Sequence, residues 1–174
     1  MAARAPSLKA RAIGLLAQRE HSRTELRRKL LLIDARTRQV QAREAGLAGL
    51  DAMEEDTPDG AAEGREAIVD ALLDALAADG YLDEARFVES RLHLRAGRFG
   101  TQRIQQELAQ HGLRLDAEQQ AALRATELER AREVWLKRFG PEPSAAPPER
   151  ARQTRFLLAR GFGADVVRQV LRTA

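Results

Sequence analysis

The sequence predicts an all-α protein, three tandem three-helix repeats forming an elongated, curved array, and three observations carry that expectation. Apolar residues recur at helical spacing along the chain, and no strand-like alternation competes with them. Five Phe, one Trp and one Tyr among 174 residues, with 32% charged, make a single thick core an unsuitable design, whereas high Ala, Leu, Arg and Glu content suits exposed helices. A shift of 78 residues lays Leu26 and Leu30 on Ile104 and Leu108, and a further shift of 49 lays Leu108, Gly112 and Leu113 on Leu157, Gly161 and Phe162. Repeats this short bury their apolar faces only against neighbours, which favours an array. One compact helical bundle would share the periodicity, but the acidic and Pro-rich breaks fall at repeat positions.

The first repeat is placed at residues 1–80. Leu8, Ala12, Leu15 and Leu16 fall on one face of a first helix, and Ser22 with Glu25 forms a capping box opening a second that carries Leu26, Leu30 and Ile33. An insertion at about 34–64 interrupts the repeat with Gly46, Gly49, Pro58, Gly60 and Gly64. Its start, Arg36 to Ala45, can extend the second helix, while Glu54 to Gly64 is expected to be a mobile acidic loop; a longer helix and a DNA-mimicking arm over the basic second helix are the alternatives. The third helix carries Ile68, Leu72, Leu73 and Leu76 and stops at Gly80, with Tyr81 expected to be buried against the turn.

The second repeat spans 81–125: a helix from about Asp83 to Ala96, one from about Thr101 to His111 with Gly100 or Thr101 as N-cap and Gly112 past its end, and one opening at Asp116 with Gln119 as capping partner. The third spans 126–174. Its helices carry Leu128, Ala131, Trp135 and Phe139, then, after a break from Pro141 to Pro148, Phe156 and Leu157, and finally Val167, Val170 and Leu171.

Charge is segregated along the chain. Residues 8–38 hold nine Lys or Arg against three acids, a net of +6; residues 44–84 hold one against thirteen, −12; residues 124–174 hold eleven against six, +5. Basic ends favour a polyanionic or acidic partner, although solvated helix faces also carry such runs. Arg91, Arg95 and Arg98 repeat at three- or four-residue spacing and Arg103 opens the next helix, which makes a candidate partner-binding ridge; ion pairs to Glu89 or Glu107 are the structural alternative. A second candidate patch is Arg23, Arg27, Arg28 and Lys29, and a third is Arg150, Arg152, Arg155 and Arg160. Planar guanidinium forks suit phosphates and carboxylates.

Catalysis finds no footing, and no enzyme activity is expected. His21, His93 and His111 lack metal-protease spacing, the acids from Asp51 to Asp59 lack the spacing and glycine of a calcium loop, and Gly97 with Gly100 makes neither a P-loop nor a dinucleotide fingerprint. No catalytic, metal or cofactor residue is therefore assigned, and no cofactor is expected. Absence of Cys excludes disulfides and fits a cytoplasmic location; no apolar run reaches membrane-spanning length, and the start is too broken by Arg and Lys for a signal peptide.

Three blocks resemble one known family. Gly-Tyr-Leu-Asp-Glu (80–84), Arg86-Phe87, Ser90-Arg91, Gly100, Arg103-Ile104, Glu107-Leu108 and Gly112-Leu113 look like the central part of the RecX regulators of the RecA recombinase. Ser22-Arg23 with Glu25 to Leu30, and Arg155 to Phe162, look like the outer repeats, so the resemblance spans the chain apart from 34–64, where most members have a short turn. The resemblance implies a protein that binds the RecA filament, lies along its groove and hinders its extension, ATP turnover, strand exchange and coprotease activity in DNA repair and the SOS response. A monomer is expected, and the basic patches add single- or double-stranded DNA as a candidate partner through phosphate contacts. A direct DNA-binding module and a helical-repeat interaction scaffold are the alternatives.

Overall fold

The computed structural model describes residues 6–44, 46, 59–141 and 146–172, and over these the chain forms nine α-helices and no strand. They are α1 (Leu8–Gln18), α2 (Arg23–Glu44), α3 (Asp59–Ala78), α4 (Glu84–Ala96), α5 (Thr101–Ala109), α6 (Ala117–Ala125), α7 (Glu127–Phe139), α8 (Pro147–Ala159) and α9 (Ala164–Arg172). The chain divides into two compact units, residues 1–87 and 88–174.

In the first unit α2 packs against α1 and α3. Ser7 caps α1, its Oγ accepting from the Ala10 N–H at 3.2 Å. Ser22 Oγ accepts from the Glu25 N–H at 3.1 Å at the start of α2, as the sequence signature requires. Ala12, Leu26, Leu30, Val69, Leu73, Leu76 and Leu82 form the core, with Leu8, Leu15 and Leu16 packed against it. Truncating any of the fully buried leucines 26, 30, 73 or 76 to Ala would cost about 2–5 kcal/mol.

Three expectations are corrected in this unit. The buried stripe of α3 runs through Val69, not Ile68, which is 64% exposed. Tyr81 is 47% exposed, and Leu82 takes the buried position beside the turn. The expected mobile loop is the third: α2 continues to Glu44, as the helix-forming run from Arg36 allows, but α3 already begins at Asp59, so residues 59–64, expected as loop, are helical. The acids from Asp51 to Asp56 lie outside the described residues.

In the second unit α7 lies against α6, α8 and α9, and its Ala131, Val134 and Trp135 join Leu157, Phe162, Val167, Val170 and Leu171 in a core. The Trp135 indole N–H donates to Gln153 Oε1 at 3.0 Å inside that core, so the ring is structural, as its helical spacing suggests. Asp116 and Gln119 form the reciprocal capping box of α6, at 2.7 and 3.1 Å. The Pro-rich break is shorter than expected, because Pro147 and Pro148 form the first turn of α8, where a missing N–H costs nothing. The second helix of this region, α5, ends at Ala109, two residues before His111.

Three helices end in the same turn. Leu76 O accepts from the Tyr81 N–H at 2.9 Å, Leu108 O from Leu113 at 3.0 Å and Leu157 O from Phe162 at 3.3 Å, with Gly80, Gly112 and Gly161 at φ of 76°, 75° and 80°. Only glycine adopts that backbone without strain. Gly161 also meets the start of α5: Gly100 N–H donates to Arg160 O at 2.9 Å and Gln102 N–H to Gly161 O at 3.2 Å. The exposed donors of one helix start are thus met by the carbonyls of another helix end.

Candidate functional site

Four of the five phenylalanines directly follow an arginine, at Arg86-Phe87, Arg98-Phe99, Arg138-Phe139 and Arg155-Phe156. In the second unit the last three rings become the spine of a cluster. Phe99 sits in the loop after α4, Phe139 at the end of α7 and Phe156 within α8. Arg160 bridges two of them, its guanidinium 5.9 Å from the Phe99 centroid and 4.6 Å from that of Phe156. Phe156 meets Phe139 edge to face at 5.2 Å and 84°. Arg95 and Arg98 lie 5.5 and 6.0 Å from Phe99, and Arg138 and Arg152 lie 5.7 and 5.4 Å from Phe139.

Five guanidinium groups are held by three rings, each contact worth about 0.5–1 kcal/mol at exposed sites. Stacking uses the guanidinium face and leaves N–H groups at its edge to fork onto an anion. Arg98, Lys137, Arg138 and Arg160 also line a cleft of about 250 Å³ over Val134 and Phe156; no carboxylate is among its described lining residues. Nearby, Lys137 faces Glu133 at 3.7 Å and Arg152 faces Glu149 at 3.4 Å. The cleft can receive a phosphate or a carboxylate; ring faces already covered by guanidinium groups are poorly placed to stack on bases.

The loop carrying Arg98 and Phe99 is fixed from below. Arg130 of α7 donates through Nη1 to Ala96 O and Phe99 O, both at 2.8 Å, and through Nη2 to Leu123 O at 2.7 Å. Burial lowers its pKa from the ordinary arginine value, and Glu127 one turn earlier opposes that shift. Glu127 is itself buried and accepts from the Thr101 N–H at 2.9 Å, giving α5 the cap that Gly100 has no side chain to supply.

The sequence candidates separate into groups. Arg95, Arg98, Arg152 and Arg160 meet in the cluster. Arg91 and Arg95 converge on Glu107, at 3.4 and 3.0 Å, so Arg91, Arg95 and Arg98 do not form one continuous unpaired ridge. Arg103 and Arg155 are exposed, and Arg150 of α8 donates to Leu171 O. On α2, Arg23 pairs with Asp74 at 2.8 Å, and Arg27 pairs with Glu66 and Asp70 of α3, both at 2.7 Å, which raises the Arg27 pKa. Lys29 faces Glu25 at 3.3 Å, and Arg28 is exposed.

His21, Arg19, Glu25 and Lys29 form a separate polar group in the first unit. His21 is buried, with Nδ1 2.9 Å from Arg19 O and Nε2 3.0 Å from Lys29 Nζ, which fits a neutral ring donating through Nδ1 and accepting at Nε2. Burial lowers its pKa below 6.5. For Glu25 burial alone would raise the pKa, but the Arg19 and Lys29 partners outweigh it and bring the carboxyl to about 2. Sequence reading missed Lys137, Arg138 and the three rings of the cluster; the recurring Arg-Phe pair was the signal available for them.

No described helix is long and apolar enough to cross a membrane. A family profile described as RecX, third three-helix domain, matches residues 125–171, the span of α7 to α9. A protein of Leptothrix cholodnii named Regulatory protein RecX is 49% identical over 170 residues, covering 97% of this chain and 89% of that protein. Proteins of the same name from Ralstonia pickettii and Pseudomonas putida are 43% and 38% identical, over 95% and 92% of this chain and 86% of each relative.

Proposed function

The chain belongs to the RecX family of regulatory proteins, and from that premise we propose that it binds the nucleoprotein filament of the RecA recombinase in the cytoplasm and restrains its ATP turnover, strand exchange and coprotease activity during DNA repair and the SOS response. The observation that carries the reading is the guanidinium and aromatic cluster. A filament of protein and DNA offers carboxylates and phosphates, and the cleft at Arg98, Arg138 and Arg160 presents cationic donors of the matching chemistry. The α2 patch is a weaker candidate, because Arg23 and Arg27 already spend their charge on Asp74, Glu66 and Asp70. No catalytic group is assigned to this activity, and the protein acts by occupancy as a monomer.

The test is inhibition of DNA-dependent ATP turnover by assembled filaments, with naked DNA and free recombinase as binding controls. R98E/R138E should raise the half-inhibitory concentration at least about tenfold, since reversing two charges in a site replaces attraction by repulsion. R27E/R28E should have the smaller effect. Unchanged potency of R98E/R138E, with native Trp135 fluorescence and circular dichroism, overturns the assignment of the cluster. Equal affinity for naked DNA and for filaments would favour the direct DNA-binding alternative.

A further inference from the structure

We propose that the groove between α8 and α9 is a second docking site, whose occupant is an acidic amphipathic helix of a partner protein. The inference stands apart from the cluster around Phe99 and Phe156, since α8 turns different residues towards it. On α8 the core side is made by Gln153 and Leu157. Arg150, Thr154 and Leu158 follow one another at four-residue spacing along the adjacent stripe and line the groove. On α9 Val167 and Leu171 make the floor, and Arg168 and Arg172, one turn apart and both exposed, make the outer wall.

The resulting groove has a volume of about 520 Å³. Its floor is apolar, and Leu158 is 44% exposed in it, a large aliphatic side chain left in water beside two buried ones. Its rim carries Arg150, Arg168 and Arg172, with no carboxylate among the described lining residues. Asp165 lies one turn before Arg168 and lines, with Arg168 and Arg172, the adjoining surface pocket rather than the groove itself. An apolar floor between cationic rims selects a ligand with a leucine-like stripe flanked by carboxylates, the arrangement an acidic amphipathic helix presents. Phosphodiester chains match the rim but leave the floor unused; a basic helix matches the floor and is repelled by the rim.

The probe is a fluorescein-labelled helix-forming peptide of about 14 residues, about 21 Å long as a helix, with leucines at i, i+4 and i+7 flanked by glutamates. Fluorescence anisotropy with the full chain should show saturable binding that weakens with salt. L158E and R168E/R172E should each weaken it at least about tenfold. All three sites are exposed, so the variants should fold, and R98E/R138E should leave peptide affinity within about twofold. The same peptide with lysines for glutamates should not bind. Failure of the glutamate peptide to bind, equal binding of the two peptides, or full affinity in L158E would overturn the proposal. Loss of a self-associated species in L158E by sedimentation velocity would assign the groove to a second copy of this chain. Loss of single-stranded oligonucleotide affinity in R168E/R172E, with peptide affinity intact, would assign it to nucleic acid. Because filament inhibition is read on R98E/R138E and peptide binding on L158E, either proposal can fail while the other stands.

Discussion

Replacing Gly100 by Ala tests the junction between the start of α5 and the end of α8. The backbone at Gly100, φ −75° and ψ 167°, is one that alanine adopts freely, so any cost comes from packing. A Cβ there would lie 2.2 Å from Gly161 O and 2.3 Å from Phe162 N, both backbone atoms that no side-chain rotation can move aside. Relief to ordinary contact requires the two segments to part by about 1 Å, which stretches the bonds from Gly100 N–H to Arg160 O and from Gln102 N–H to Gly161 O. Two such bonds contribute about 0.5–1.5 kcal/mol each, and overpacking adds about 1–3 kcal/mol, so G100A should cost about 2–6 kcal/mol. Trp135, the only tryptophan, is buried in the same unit, so its fluorescence during urea denaturation isolates this loss. Gly97 is the control: a Cβ there meets nothing within 4 Å, and G97A should stay within about 0.5 kcal/mol of the parent. Equal stability of G100A and G97A would refute the reasoning.

Arg130→Met should cost about 2 kcal/mol in the same fluorescence assay, because the carbonyls of Ala96, Phe99 and Leu123 lose a half-buried charged donor; a loss under about 0.5 kcal/mol would show that solvent replaces it. In the first unit, acid should act in two stages. The neutral form of His21 is favoured by folding, so its contribution is present above pH 6.5 and is lost as pH falls below that value. Glu25 contributes fully above its unfolded value of 4.5 and loses that contribution as pH falls towards about 2. Urea denaturation followed by circular dichroism between neutral pH and pH 3 should show a steeper acid loss in the parent than in E25Q; parallel curves would remove Glu25 from the account.

What could be read from the sequence was chiefly what is closed by neighbours along the chain. Asp83 accepts from the Ala85 and Arg86 N–H groups at 2.8 and 3.1 Å, Asp116 and Gln119 cap each other, and Gly80, Gly112 and Gly161 sit past helix ends, each decided by groups a few residues apart. Ile68 was misplaced because neighbouring residues on a helix differ by about 100° in direction, so the apolar pattern of α3 allowed two phases and packing on α2 chose Val69. The fate of the arginines was less legible. Arg27 meets Glu66 and Asp70 from another helix, whereas Arg91 and Arg95 share one carboxylate, Glu107, on the next. Charge spacing along a helix states which side chains share a face and leaves open what faces them. The aromatic cluster shows the same limit: the Arg-Phe pairs are visible in the sequence, but Arg160 joins Phe99 to Phe156 only through the docking of α5 on Gly161.

The repeated turn at Gly80, Gly112 and Gly161 bears on the order of folding events. Each is closed by a bond between residues five apart, and the residue that donates ends in quite different surroundings: Tyr81 in water, Leu113 half covered and Phe162 wholly enclosed. The reversal of the chain therefore does not wait for a core to form around it. Closure over so few residues costs little loop entropy, so the points at which the polypeptide changes direction can be set early, before distant helices meet. Tertiary collapse then selects among helices whose ends are already defined, and a chain leaving the ribosome can establish the first of these bends at Gly80 before the partners of α8 and α9 have been synthesised.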